Sequence, residues 1–154
     1  MSEETIFKAG QAIGPYRIVR HIGCGGMGEV YEVEHESLGV HYALKVFAYR
    51  GEKSWTMLRA KFIEEGQVLA RLRHPNLVRV FDLSMDGATG VAYYAMDLVL
   101  YKDGNPYTLS DVDRSSVSED HLFIWFRDLC NALDYIHSQG VVHRDVKLNN
   151  ILLN

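Results

Sequence analysis

Apolar and polar residues alternate over residues 16–22 and again over 30–36, the period of two expected of half-buried β-strands. Residues 41–47, His-Tyr-Ala-Leu-Lys-Val-Phe, read as a third strand after the turn Ser37-Leu38-Gly39. Over residues 54–73 the period becomes helical, with Phe62, Leu69 and Leu72 on a shared face and Glu65 within the helix. Two further apolar runs, 77–83 and 91–99, flank the turn Asp86-Gly87-Ala88-Thr89-Gly90 and predict an antiparallel pair. Residues 101–118 are rich in Asp, Ser, Gly and Asn and read as a linker. Ser118, followed by Glu119 and Asp120, then predicts the N-cap of an amphipathic helix that ends near Gly140. Its stripe of Leu122, Trp125, Phe126, Leu129, Leu133 and Ile136 is expected to be core. Last come Val141-Val142, a polar loop and Ile151-Leu152-Leu153, read as strand, loop, strand.

A chain of 154 residues with 47% apolar content can bury one ordinary core. The formal charge of −4 supplies no electrostatic reason to expect nucleic acid or an anionic membrane as partner, so any phosphate binding must be local. No run approaches the roughly 18 apolar residues of a membrane span. The first ten residues carry Glu3 and Glu4 where a signal peptide is basic, so this stretch of chain is expected to be cytoplasmic. Cys24 and Cys130 are too few and too far apart for a disulfide framework or a metal knuckle, and are expected to be free thiols.

Between the first two strands lies Gly23-Cys24-Gly25-Gly26-Met27-Gly28-Glu29-Val30, which follows G-x-G-x-x-G-x-V. A glycine-rich turn lets backbone N–H groups approach phosphate oxygens with no Cβ in the way. The same pattern also marks dinucleotide-binding folds, and a merely flexible hairpin produces it too. A dinucleotide fingerprint runs from strand into helix, whereas this one runs into the β-rich Val30-Tyr31-Glu32-Val33, which favours a hairpin lid over phosphates. In the third strand Ala43 and Lys45 point to one face. The small Ala43 leaves room on that face, and Lys45 can reach an anionic ligand lying against it. Residues 143–150 read His-Arg-Asp-Val-Lys-Leu-Asn-Asn, and Asp145 to Asn150 matches the spacing H-R-D-x-x-x-x-N.

With these motifs in this order, the sequence resembles the eukaryotic-type (Hanks-type) serine/threonine protein kinases from about residue 16 to residue 153. The resemblance implies an α+β fold: a five-stranded antiparallel small lobe with one helix, helix C, and the beginning of a helical large lobe. The implied division is a leader over 1–12, the small lobe over 13–99, a hinge and linker over 100–118, and the start of the large lobe over 119–154. It implies ATP and Mg²⁺ as cofactors and a protein bearing Ser or Thr as substrate. Nucleotide would be held by Ile22, Gly23, Cys24, Gly25, Gly26, Met27, Gly28, Glu29 and Val30, by Ala43 and Lys45, and by the backbone of Asp97 and Val99. Tyr42-Ala43-Leu44-Lys45 stands for the family's V-A-I-K, and Glu65, counted back from His74-Pro75-Asn76, would pair with Lys45. Met96 would be the gatekeeper, although it and its neighbours read equally as ordinary strand ends. Asp145 would accept the proton of the attacking hydroxyl, Lys147 neutralise charge on the transferred phosphoryl group, and Asn150 hold a Mg²⁺. His143 would shape the loop and Arg144 dock a phosphorylated activation loop.

Two positions depart from the family. Gly66 lies inside the helix, at a cost of roughly 1 kcal/mol relative to Ala, and leads us to expect a helix that is easily displaced. Leu148 stands where the family usually has Pro. The family's D-F-G segment would follow residue 154, so the expectation is that these residues alone transfer phosphate barely or not at all. The helix face of Trp125, Phe126 and Leu129 would then need a partner or a downstream segment to cover it. The alternative, a catalytically dead nucleotide-binding or regulatory module built on the small lobe, stays open: Lys45, Asp145 and Asn150 oppose it, while the lack of a D-F-G within these residues speaks for it. A small-molecule kinase is opposed by Lys147 and the glycine-rich loop.

Overall fold

The computed structural model describes residues 5–48 and 54–154, which form two compact units. The first comprises the described residues up to Arg71 together with Arg79–Leu98; the second comprises Leu72–Val78 and Val99–Asn154.

The first unit is built on an antiparallel sheet of β1 (Ala12–Ile13), β2 (Tyr16–Gly25), β3 (Gly28–His35), β4 (Val40–Phe47), β5 (Val80–Met85) and β6 (Ala92–Met96). Its order is β1-β2-β3-β4-β6-β5. Strands β3 and β4 pair without interruption from Gly28 opposite Phe47 to His35 opposite Val40. The alternation seen in the sequence sorts residues onto two faces. Tyr31, Val33, Leu44, Val46, Tyr93 and Ala95 join one apolar cluster, while Phe47, Phe62, Val80, Ala92 and Tyr94 form a second with helix α1 (Trp55–Leu69). Strand β6 contributes alternate residues to both, which is why it reads as a continuous apolar run. Burying a side chain as large as Phe62, which is fully inaccessible, is worth about 2 kcal/mol.

Two expectations are corrected in this unit. The sheet has six strands rather than five, because β1 pairs Ile13 with Tyr16 just past the end of the expected leader. Residues 5–11 are tied to the sheet at two points: Phe7 is buried, and Gly10 N–H donates to Ile18 O at 2.8 Å. Helix α1 stops at Leu69 instead of reaching Arg73. Its last turn tightens, with Arg71 N–H on Val68 O at 3.1 Å, three residues back, and Pro75 follows closely.

The second unit centres on helix α2 (Glu119–Ser138). The Ser118 hydroxyl oxygen accepts from His121 N–H at 3.2 Å, and Glu119 and Asp120 complement the positive end of the helix. At its other end Gly140 takes a left-handed φ of 74°. Gly140 N–H then bonds His137 O and Val141 N–H bonds Ile136 O, both at 2.9 Å, a pairing that a side chain at residue 140 would strain. Val141 is thereby spent on the helix cap, and the strand expected at Val141-Val142 does not form.

The expected strand at 151–153 is a single bridge, Leu152 opposite Thr108. Leu109 N–H donates to Ile151 O at 2.8 Å, and Leu153 N–H to Tyr107 O at 2.9 Å. Part of the expected linker is therefore paired backbone. The apolar stripe of α2 is divided rather than wholly core: Ile136 is 2% exposed while Phe126 is 69% exposed. Trp125, Phe126 and Leu129, with Leu109, Leu148 and Ile151, line an apolar groove of about 460 Å³.

Candidate functional site

The residues singled out from the sequence fall in both units, and each set has its own geometry. In the first, β2 and β3 run into the glycine-rich stretch from both sides, so the turn expected over 23–30 shrinks to Gly26 and Met27, between the pair Gly25 and Gly28. A register shift between His21 and Gly23 leaves Ile22 outside the pairing. Gly28 could not carry a side chain, since a Cβ there would run into the Val46 carbonyl. At Gly23, Gly25 and Gly26 a Cβ would meet nothing within 4 Å, so the exposed tip has open space in which its backbone can meet a ligand.

The neighbouring strands supply a lysine. Val30 pairs with Lys45 and Lys45 with Tyr94, while Ala43 pairs with Met96. These residues therefore share one face of β3, β4 and β6. Helix α1 crosses that face and brings Glu65, not Glu64, to the lysine. Lys45 Nζ donates to Glu65 Oε1 at 2.7 Å, with side chains 20% and 33% exposed. The Tyr94 hydroxyl donates to the same oxygen, also at 2.7 Å. Burial, and then the Glu65 carboxylate, hold the Tyr94 hydroxyl well above the ordinary phenol range, so it remains a donor. The ammonium also sits 5.5 Å from the Tyr94 ring centroid and 5.9 Å from that of Phe62.

Gly66 is what lets the helix come so close. A Cβ on it would lie 3.0 Å from both Leu83 Cδ1 and Tyr94 Cδ1. The glycine is thus a close-packing residue beside Glu65, which corrects the expectation of a loosely held helix. Sequence reasoning missed Tyr94 altogether. The signal that could have found it is register, because pairing β4 with β6 places Tyr94 opposite Lys45.

Just past β6, Asp97 N–H donates to Arg79 O at 3.0 Å, and its carboxylate accepts from Arg79 N–H at 2.7 Å. The backbone group that Asp97 can offer a ligand is therefore its carbonyl. Val99 opens the main segment of the second unit.

In the second unit, residues 143–150 fold as a tight loop ending in a 3₁₀ turn, Leu148–Asn150. Asp145 N–H meets His143 Nδ1 at 3.3 Å, and Arg144 between them takes a left-handed φ of 64°, a strained conformation for a residue with a side chain. Asn150 Nδ2 donates to the Asp145 carbonyl at 2.8 Å and to Asp145 Oδ2 at 3.0 Å. Lys147 Nζ lies 2.9 Å from the same carboxylate oxygen. The bonds from Lys147 and then Asn150 hold the Asp145 carboxyl below the usual carboxylate range, so at neutral pH it is an ionised proton acceptor. The Asn150 amide nitrogen is turned to Asp145, which leaves its carbonyl oxygen as the end offered to a hard cation. Among the described residues no three His, Cys, Asp or Glu gather to hold a metal. A cation here would share Asn150 with the oxygens of a phosphate ligand, the manner in which Mg²⁺ is usually held.

Cys24 and Cys130 are exposed thiols outside any disulfide. No helix among the described residues is long and apolar enough to cross a membrane.

Against known proteins, the model of the protein kinase domain matches residues 16–154. The serine/threonine-protein kinase PknJ of Mycobacterium tuberculosis is 37% identical over 147 residues, covering 95% of this chain and 24% of PknJ. The serine/threonine-protein kinase PknD of Chlamydia trachomatis is 35% identical over 147 residues, covering 90% of this chain and 15% of its own length. Among solved structures, the kinase domain of M. tuberculosis PknI superposes with a TM-score of 0.73 at 30% identity, over 95% of this chain and 57% of that one. The apo form of PpkA-294 superposes with a TM-score of 0.81 at 25% identity, over 96% of this chain and 57% of that one. The chain thus spans about a quarter or less of these curated relatives and 57% of the solved domains.

Proposed function

This chain belongs to the protein kinase family, and we propose that it serves ATP-dependent phosphoryl transfer to serine and threonine hydroxyls of protein substrates. The observation that carries this reading is the Lys45–Glu65–Tyr94 cluster, in which one carboxylate oxygen holds the ammonium and the phenol at 2.7 Å each. Phosphoryl transfer asks mainly for positioning and charge neutralisation. Lys45, fixed by Glu65 and supported by two aromatic rings, orients the α- and β-phosphates. The tip at Gly23, Gly25 and Gly26 covers them with backbone N–H groups, and Ala43 with the Asp97 backbone receives the adenine. Asp145, ionised at neutral pH, accepts the proton of the attacking hydroxyl. Lys147 moves between Asp145 and the transferred phosphoryl group, a short excursion for a side chain 55% exposed. Asn150 would hold a Mg²⁺, which when bound supplies charge neutralisation at phosphate oxygens. The serine/threonine direction rests on Lys147 two residues after Asp145 and on the named activity of PknJ and PknD.

The test is transfer of label from γ-³²P-ATP to Ser/Thr-containing protein in the presence of Mg²⁺, with the chain joined to a D-F-G-bearing segment because residues 1–154 alone are expected to transfer barely or not at all. Asp145→Asn is expected to lower the rate by about a hundredfold or more, and Lys45→Met to lower it comparably. Nucleotide binding with no Asp145-dependent transfer even when a D-F-G-bearing segment is supplied would instead favour the regulatory-module reading.

A further inference from the structure

The glycine-rich hairpin is held from a direction that its own sequence does not suggest. Its tip has little packing of its own, since Gly23, Gly25 and Gly26 stand in open space. Backbone without side chains to pack keeps its conformational freedom unless something outside restrains it. The restraint lies on the outgoing strand, one residue after Gly28. Ile6 N–H donates to Glu29 Oε2 at 3.0 Å, and Phe7 N–H donates to the Tyr31 hydroxyl oxygen at 3.1 Å. That hydroxyl donates onward to the same Glu29 oxygen, closing a small network around one carboxylate.

The segment bearing those two N–H groups is anchored in turn. The Phe7 ring is 7% exposed and meets the Tyr31 ring edge-on, with centroids 6.0 Å apart. Burial, with the Glu29 bond, pushes the Tyr31 hydroxyl up to about 12, so it stays a neutral donor across the working pH range. Tyr31 itself is fully buried and paired with Leu44 of β4, and so provides a fixed post.

We propose that Phe7 and Tyr31 are positioning residues for nucleotide binding: Ile6-Phe7 is a strap that holds β3 at Glu29 and so preorganises the glycine-rich tip. The proposal rests on the reading that the hairpin takes the phosphates of ATP. Neither residue touches the nucleotide. They act by reducing the freedom that the tip must lose when it binds, which raises affinity without any new contact.

The test compares Phe7→Ala, Phe7→Leu and Tyr31→Phe with the parent 154-residue chain. Hydrogen exchange of the amides over residues 23–30 is read without nucleotide. The Kd for Mg–ATP is read by calorimetry, at a temperature where melting curves show every variant folded. Phe7→Ala and Tyr31→Phe are expected to exchange faster over 23–30 and to raise the Kd by about three- to tenfold. Phe7→Leu, which keeps an apolar anchor, is expected to recover most of the loss. A lowered melting temperature with unchanged exchange and unchanged Kd would overturn the proposal, because a purely structural role predicts that pattern. Tyr31→Phe preserves the buried ring, so the test survives if Phe7→Ala fails to fold. A folded parent that does not bind Mg–ATP would overturn the underlying reading, while the exchange data alone would still decide whether the strap restrains the hairpin.

Discussion

Tyr94 donates its hydroxyl at 2.7 Å to Glu65, to the carboxylate oxygen that also receives the Lys45 ammonium. Glu65 is thereby held from a buried strand as well as by the lysine, so its position does not depend on the ion pair alone. An ion pair this exposed is worth only about 1 kcal/mol, whereas a hydrogen bond to a charged group contributes about 1.5–3 kcal/mol. Tyr94→Phe is therefore expected to cost about 1.5 kcal/mol of stability in a denaturant titration. It is also expected to weaken Mg–ATP binding severalfold.

The close approach at Gly66 leads to a prediction that opposes helix propensity. Gly66→Ala gains roughly 1 kcal/mol of intrinsic preference in a helix interior. The new methyl group would stand 3.0 Å from Leu83 and from the Tyr94 ring, and Tyr94 is almost fully buried. Crowding of a packed core costs about 1–3 kcal/mol. The crowding wins, and the expected outcome is a lower melting temperature together with weaker nucleotide binding. A stabilised variant with unchanged binding would contradict the account of why this glycine is there.

These two residues also show what a sequence can and cannot disclose. Lys45 and Glu65 were legible because each sits in a local pattern, an apolar strand and a helix counted back from His74-Pro75-Asn76. The alternation of Tyr16 and Ile18 was legible for the same reason. Gly66 was read as a weakness because propensity is local, whereas its packing against Leu83 and Tyr94 is tertiary. Phe7 belongs to an isolated apolar pair with no period, so nothing local marks it as core. The pairing of residues 107–109 with 151–153 joins segments more than forty positions apart, and no short-range signal encodes that register. The stripe of α2 was correctly helical, but periodicity reports a face and not what covers it.

Acid should weaken the first unit through Asp86. Its carboxylate accepts from Gly14 N–H at 3.0 Å, and from Thr89 N–H and Oγ1 at 2.7 and 2.6 Å. The Thr89 hydroxyl first, then Gly14, hold its pKa below the ordinary value of 3.8. A carboxyl depressed in the folded state contributes its full stability above the unfolded value and loses it as pH falls through the folded one. Melting temperature is expected to be flat in this respect above about pH 5 and to fall from about pH 4 downward. Asp86→Asn is expected to lower stability at pH 7 by about 1–2 kcal/mol and to flatten that acid limb. An acid limb unchanged by Asp86→Asn would show that another carboxylate is responsible.

In the second unit the loop depends on Asn150 as a brace for Asp145, through bonds at 2.8 and 3.0 Å. Asn150→Ala is expected to abolish Mg²⁺-dependent transfer while leaving the fold of α2, read by far-UV circular dichroism, in place. Asn150→Asp, which keeps an oxygen for the cation but loses the amide donors and sets a second negative charge beside Asp145, is expected to recover little. Full activity in Asn150→Ala would remove Asn150 from the site.

The central claim is that the Lys45–Glu65–Tyr94 cluster and the glycine-rich hairpin bind the phosphates of ATP. Its most direct test is the thermal unfolding of the 154-residue chain with and without Mg–ATP, alongside Lys45→Met. A ligand that binds only the folded state raises its melting temperature. The account predicts a cooperative transition that Mg–ATP shifts upward in the parent and leaves unmoved in Lys45→Met. A cooperative parent transition that saturating Mg–ATP does not shift would contradict it.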